Sequence, residues 1–131
     1  MKMVSLIAFP FLALGSFHVM AQDAVEYDVM YGKCVDEIGP INNGVVEACS
    51  NTVSDKAKSE ITRRYKSIYA RLLAENPEDA SRFESAQKAW LQYRNIHCDL
   101  AGSYIGSPMH GFCPMKLNSA RALELRELDG E

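Results

Sequence analysis

The sequence has no CxxC pair, no HExxH and no glycine-rich phosphate loop ahead of a strand. Those gaps remove the short-spaced zinc sites, the zinc peptidases and the nucleotide-binding loops. No serine or free thiol stands in a nucleophile motif. His97 and Asp99 lie two apart, but they flank Cys98, which is expected in a disulfide. The reading is therefore a non-enzyme without metal or cofactor. Basic excess is missing too: 14 Lys and Arg face 17 Asp and Glu. An acidic chain argues against nucleic acid and anionic membrane, and suits a basic protein partner by electrostatic steering. Internal repeats and low-complexity tracts are absent.

A bilayer-length apolar run is also lacking. Val4 to Phe17 is apolar but is broken by Ser5, Pro10, Gly15 and Ser16, and is shorter than the roughly 20 residues a span needs. With Lys2 before it and Val19-Met20-Ala21 after it, the segment reads as a secretory signal peptide, residues 1–21, cleaved after Ala21. No cysteine stands at that cleavage region to carry a lipid, so no membrane anchor is expected after cleavage. The expected product is periplasmic or secreted, a single domain over residues 22–131. It keeps every acid and loses only Lys2 among the bases, for a formal charge of about −4.

What the chain does contain is four cysteines, Cys34, Cys49, Cys98 and Cys113. An even count in a small exported domain reads as two disulfides, which help a core too small to be robust alone. It also contains helical periodicity. Val46, Cys49, Val53, Ala57, Ile61, Tyr65, Ile68 and Leu72 form one stripe of a long helix, about Val45 to Glu75. Asp55, Lys56, Lys58, Arg63, Arg64 and Lys66 fall between them as a solvated face. Asn42 or Asn43 can cap its start. Asn76-Pro77-Glu78-Asp79 ends that helix and starts another, to about His97, so the two must run antiparallel.

Phe83, Ala86, Trp90 and Tyr93 or Arg94 lie along one face of the second helix. Gln22 to Ile41 reads as irregular or partly helical, closed by Gly39-Pro40. Asp99 to Phe112 reads as a loop rich in glycine, serine and proline. Cys113-Pro114 then opens a C-terminal helix with Met115, Leu117, Ala122, Leu125 and Leu128 inward and a frayed end at Asp129-Gly130-Glu131. The expected fold is all-α: a small disulfide-stabilised helical bundle with a long antiparallel helical hairpin and a C-terminal helix. All three cysteine connectivities are open in this layout. Cys34–Cys49 with Cys98–Cys113 is preferred because each closes a local loop.

The stretch Ala86 to Cys98 carries a pattern A-Q-x-x-W-x-x-Y-R-x-x-x-C, met by Ala86, Gln87, Trp90, Tyr93, Arg94 and Cys98. Gly102 and Ser103 follow, then Cys113, Leu117, Arg121 and Leu125, with Glu47 and Cys49 upstream. In these elements the chain resembles the lysozyme inhibitor LprI-like family of small exported helical domains. It departs at Asn118, where threonine is usual, and in lacking a lipobox. The resemblance implies a protein-binding module that inhibits a lysozyme or related peptidoglycan hydrolase. The alternative is an envelope immunity or stress-related adaptor with another partner.

Gln87, Trp90, Tyr93, Arg94 and Arg121 are expected to be structural. Trp90 should sit in the core, with Arg94 and Arg121 bracing helix ends against an acid such as Glu47 or Asp99. Recognition is expected in the cysteine-pinned segment after the motif, through Ser103, Tyr104, His110 and Phe112.

Overall fold

The computed structural model describes residues 19–130, with side chains from Glu26 onward. The expected leader, residues 1–21, lies almost wholly outside the described residues. Four helices follow one another: α1 Val19–Ile38, α2 Asn43–Glu75, α3 Pro77–Tyr104 and α4 Met109–Asp129. The all-α, disulfide-stabilised bundle is thus what the chain forms, with Cys34 bonded to Cys49 and Cys98 to Cys113.

The helix starts follow local chemistry. The Asn42 side chain accepts from the Gly44 and Val45 amides at 2.9 and 3.1 Å, which makes Asn42 the cap of α2. Asn76 caps α3 through Glu78 N–H at 3.1 Å, with Pro77 in the first turn. Between α1 and α2, Gly39 takes φ 120°, a conformation that favours glycine.

Successive helices alternate in direction, so α2 and α4 run parallel. They are also the most extensively apposed pair, while α1 and α3 lie on either side and share no close approach among the described residues. A square bundle would put α2 and α4 on a diagonal. Here small residues let them close up: Ser50, Ser54 and Ala57 on α2 face Ser119 and Ala122 on α4, all buried. A core of Val53, Ile61, Ile68, Phe83, Met115 and Leu125 fills the remaining space, with Tyr27 of α1 closing one side.

Several expectations need correction. Of the two readings of Gln22 to Ile41, the partly helical one holds: α1 runs unbroken through Gly32 to Ile38, and only the residues after it are irregular. Asp99 to Phe112 is not a loop, because α3 continues to Tyr104 and α4 begins at Met109, leaving only four residues between them. Pro114 is accordingly inside α4 rather than at its opening. Arg64 does not belong to the solvated face; it is 3% exposed. Leu128 and Ala86, expected inward, are exposed. Asp129 is held by Arg64 and Ser67 at 3.2 and 3.0 Å, and Gly130 caps α4 in the left-handed conformation, so this end is not frayed up to Gly130.

Candidate functional site

The α3–α4 corner gathers the residues expected to make contacts, on helix ends rather than on a loop. Ser103 and Tyr104 close α3; His110 and Phe112 lie in the first turns of α4. The turn between them is Ile105-Gly106-Ser107-Pro108. The Ile105 and Gly106 amides both donate to Ala101 carbonyl, at 2.9 and 3.3 Å, and the Met109 amide donates to Gly106 carbonyl at 3.0 Å. Gly106 sits at φ 149°, which other residues rarely adopt.

The Cys98–Cys113 bond spans the two helices below this turn, and Asn43 ties Ser107 to the start of α2 at 3.5 Å. The corner is therefore held from three helices. Tyr104 is 85% exposed and Ile105 is 75% exposed, so two large side chains project from a rigid tip. Phe112 faces inward instead, edge-on to Tyr31 with ring centroids 5.5 Å apart. That makes Phe112 a brace between α4 and α1. Ile105 was not among the residues expected at the surface of this corner; its position beside Tyr104 at a helix stop was the available signal.

His110 lies across Gly102. A Cβ on Gly102 would come within 2.1 Å of the imidazole Cε1. The glycine-serine element after the tryptophan motif thus has a packing role: it leaves room on α3 for a side chain from α4. Along the outer face of α3, Tyr93, Ile96 and Leu100 are each about half exposed and lead toward Tyr104. Tyr93 stacks on His97 at 5.3 Å between centroids.

The structural motif makes a second, mostly polar cluster below the corner. Arg121 donates from Nε and Nη2 to Gln87 Oε1 at 3.1 and 2.9 Å, and pairs with Glu124 at 2.8 Å. Arg94 donates to Asn118 Oδ1 at 2.9 Å, and Asn118 donates onward to Ser54 Oγ at 2.8 Å. This chain joins α3, α4 and α2 through the buried Asn118, whose central place was not foreseen. Its spacing on the α4 stripe with Met115, Ala122 and Leu125 could have shown it. Trp90 is only partly buried against the core, and both guanidinium groups lie near its ring, at 5.3 and 5.7 Å from the centroid. Arg94 and Arg121 both bridge α3 and α4, but each does so through a neutral amide, Asn118 and Gln87, rather than through an acid such as Glu47 or Asp99.

The side chains converging on Glu60 form a third cluster, also unforeseen. Glu60 accepts from Tyr27 Oη and from Arg126, whose Nη2 lies at 2.7 Å, and Arg64 pairs with it at 3.4 Å. Burial alone would raise the Glu60 carboxyl, but the bonds and charges of Arg126, Tyr27 and Arg64 hold it below the ordinary carboxylate range. Burial and the Glu60 contact push the Tyr27 hydroxyl far up. All four cysteines are consumed in disulfides. Among the described residues, no group of three His, Cys, Asp or Glu is placed to hold a metal ion, and no helix is long and apolar enough to cross a membrane. Two formed disulfides agree with an extracytoplasmic protein.

No curated protein and no solved structure matches the chain. Residues 41–125 match the family described as lysozyme inhibitor LprI. The match covers well over half of the chain, from the α2 cap through the last buried leucine of α4, and takes in the tryptophan motif, the Cys98–Cys113 bond and the corner. The chain belongs to the LprI lysozyme inhibitor family.

Proposed function

We propose that the protein is exported to the periplasm or beyond and inhibits a lysozyme-type peptidoglycan hydrolase by stoichiometric blocking of its cleft. The inserted element is the α3–α4 corner. The observation that carries this reading is the rigid tip bearing exposed Tyr104 and Ile105, inside the region matched to lysozyme inhibitors. A rigid apolar tip enters a cleft with little ordering cost. Ser103 and His110 flank it with groups able to bond to the paired carboxylates of a glycosidase. The acidic formal charge favours encounter with a basic enzyme.

The test is a titration of mature protein against lysozymes of different classes in a peptidoglycan-lysis assay. Lysis of at least one class should fall linearly to an end point near one inhibitor per enzyme. Deleting Ser103 to Ser107 would be a poor probe, since it removes the end of α3 and most of the turn. Tyr104→Ala with Ile105→Ser changes only exposed side chains. The double variant should keep its melting temperature and weaken inhibition at least about tenfold, as expected for a hot spot of about 1.4 kcal/mol or more. Full inhibition by it would sink the corner as the contact.

A second reading, an envelope immunity or stress-related adaptor, is favoured by the exposed Tyr93, Ile96 and Leu100 on α3, which cleft insertion leaves unused. Absence of inhibition across all lysozyme classes would turn the choice to it.

A further inference from the structure

The groove between α2 and α3 joins two chemistries end to end. Its larger compartment, about 500 Å³, has walls of Ile61, Tyr65, Trp90 and Leu91. Its smaller compartment, about 350 Å³, is polar and includes Asn51, Asn95, Asp99 and His110. Lys58 and Arg94 line both, so two cations stand where the apolar part meets the polar part. Volumes of this order are typical of small-molecule sites.

The cations of the groove are not equally neutralised. Lys88 pairs with Glu84 at 3.2 Å and Lys58 with Asp55 at 2.8 Å, both in exposed positions. Arg94 is half-buried, and its three hydrogen bonds go to the neutral amide oxygens of Asn95 and Asn118. Among the described residues no carboxylate pairs with it. Burial lowers its pKa, the direction expected of a cation whose surroundings supply no counter-charge. Of the five guanidinium N–H groups, two remain to receive an acceptor. A carboxylate from outside would supply both charge and geometry.

The groove also narrows which anion fits. Asp99 in the polar compartment disfavours a second negative charge, so a monoanion is preferred over a dianion. The Trp90 ring already has two guanidinium groups near it, which argues against a sugar stacked on that ring. From Lys58 to Tyr65, α2 rises about 10 Å, seven residues at roughly 1.5 Å each, which matches an extended alkyl chain of medium length. We propose that the groove binds a medium-chain aliphatic monocarboxylate, its carboxylate on Arg94 and Lys58 and its chain along Ile61, Tyr65, Trp90 and Leu91. This site is separate from the corner and does not rest on lysozyme inhibition.

Trp90 is the only tryptophan of the chain, so its emission reports directly on the groove. Mature protein with both disulfides intact is titrated with decanoate below the concentration at which it forms micelles. The expected result is a saturable change in Trp90 emission that neither decanol nor acetate produces over the same range. Arg94→Gln should weaken binding about tenfold, the loss of one charge-assisted contact. Since Arg94 also braces α4, Lys58→Glu and Leu91→Glu provide variants at more exposed positions, and both should weaken binding by at least as much. An unsaturable response, decanol binding as tightly as decanoate, or unchanged affinity in Lys58→Glu and Leu91→Glu would each overturn the proposal.

Discussion

Glu60 shows how much one side chain organises here. It lies on α2, yet its carboxylate collects Tyr27 from α1, Arg126 from α4 and Arg64 one turn along its own helix. Glu60→Gln removes a carboxylate that Arg64 and Arg126 share but leaves Asp129 on the first and Glu26 on the second, so a loss of roughly 2 kcal/mol is expected in urea unfolding. The pH dependence follows from the direction of the shift. The folded carboxyl titrates below 4.5, the ordinary value it takes in the unfolded chain. Its stabilisation is therefore complete above that value and is shed as pH falls through the lower folded value. Melting temperatures measured from neutral pH downward should drop more steeply for the wild type than for Glu60→Gln once below about pH 4. Parallel curves would contradict the role given to Glu60.

At the scale of elements, the end of α3 and the start of α4 carry the clearest lesson about reading the chain. Asn42, Asn76 and Pro77 announced their helix starts because caps act within a single turn. The long stripe from Cys49 to Ile68 announced α2 for the same reason: the signal is local periodicity. Gly102 and Gly111 misled because glycine in a helix signals a loop only when no neighbour needs the space. Gly102 accommodates His110, and Gly111 lies 3.6 Å from both Glu47 Cα and Ser50 Cβ of α2, measured from where its Cβ would be. Nothing local distinguishes a glycine kept for close packing from one kept for a turn. Arg64 misled in the same way, since its partner Asp129 arrives only when α4 docks. The residues proposed as contacts were legible only as a cysteine-pinned region, and their arrangement on helix ends, with Ile105 beside them, required the fold.

Gly102→Ala tests that element-scale reading. The helix gains propensity of about 1 kcal/mol, while the new methyl group must displace the exposed His110 ring. Thermal stability should therefore change little, and the imidazole signals of His110 should shift in an NMR spectrum while those of His97 stay in place. If His110 contributes to inhibition, the same variant should also weaken it. A large loss of stability with an unmoved His110 would mean that the corner backbone, rather than the ring, gives way.

For the molecule as a whole, the two disulfides set up a controlled comparison. Each joins cysteines 15 apart in sequence, so the chain-entropy contribution of each is the same, about 3 kcal/mol. Any difference between removing one and removing the other must then come from what each holds in the folded state. Cys34–Cys49 fastens α1, whose other ties to the rest include the Tyr27 side chain, the Tyr31–Phe112 ring contact, the Glu26–Arg126 pair and the Asp28–Lys116 pair. Cys98–Cys113 fastens α3 to α4, which are also joined through Arg94–Asn118 and Gln87–Arg121. Replacing Cys34 and Cys49 by serine should therefore free α1 locally: its amides should exchange with solvent well before those of α2 and α4, which share the small-residue seam. Replacing Cys98 and Cys113 should lower the global melting temperature by a similar amount but leave α3 and α4 exchanging together with the core. Because the family match begins at residue 41, after α1, the first variant should retain the proposed lysozyme inhibition and the second should lose much of it as the corner loosens. Equal loss of inhibition in both variants would show that α1 and the corner act as one unit.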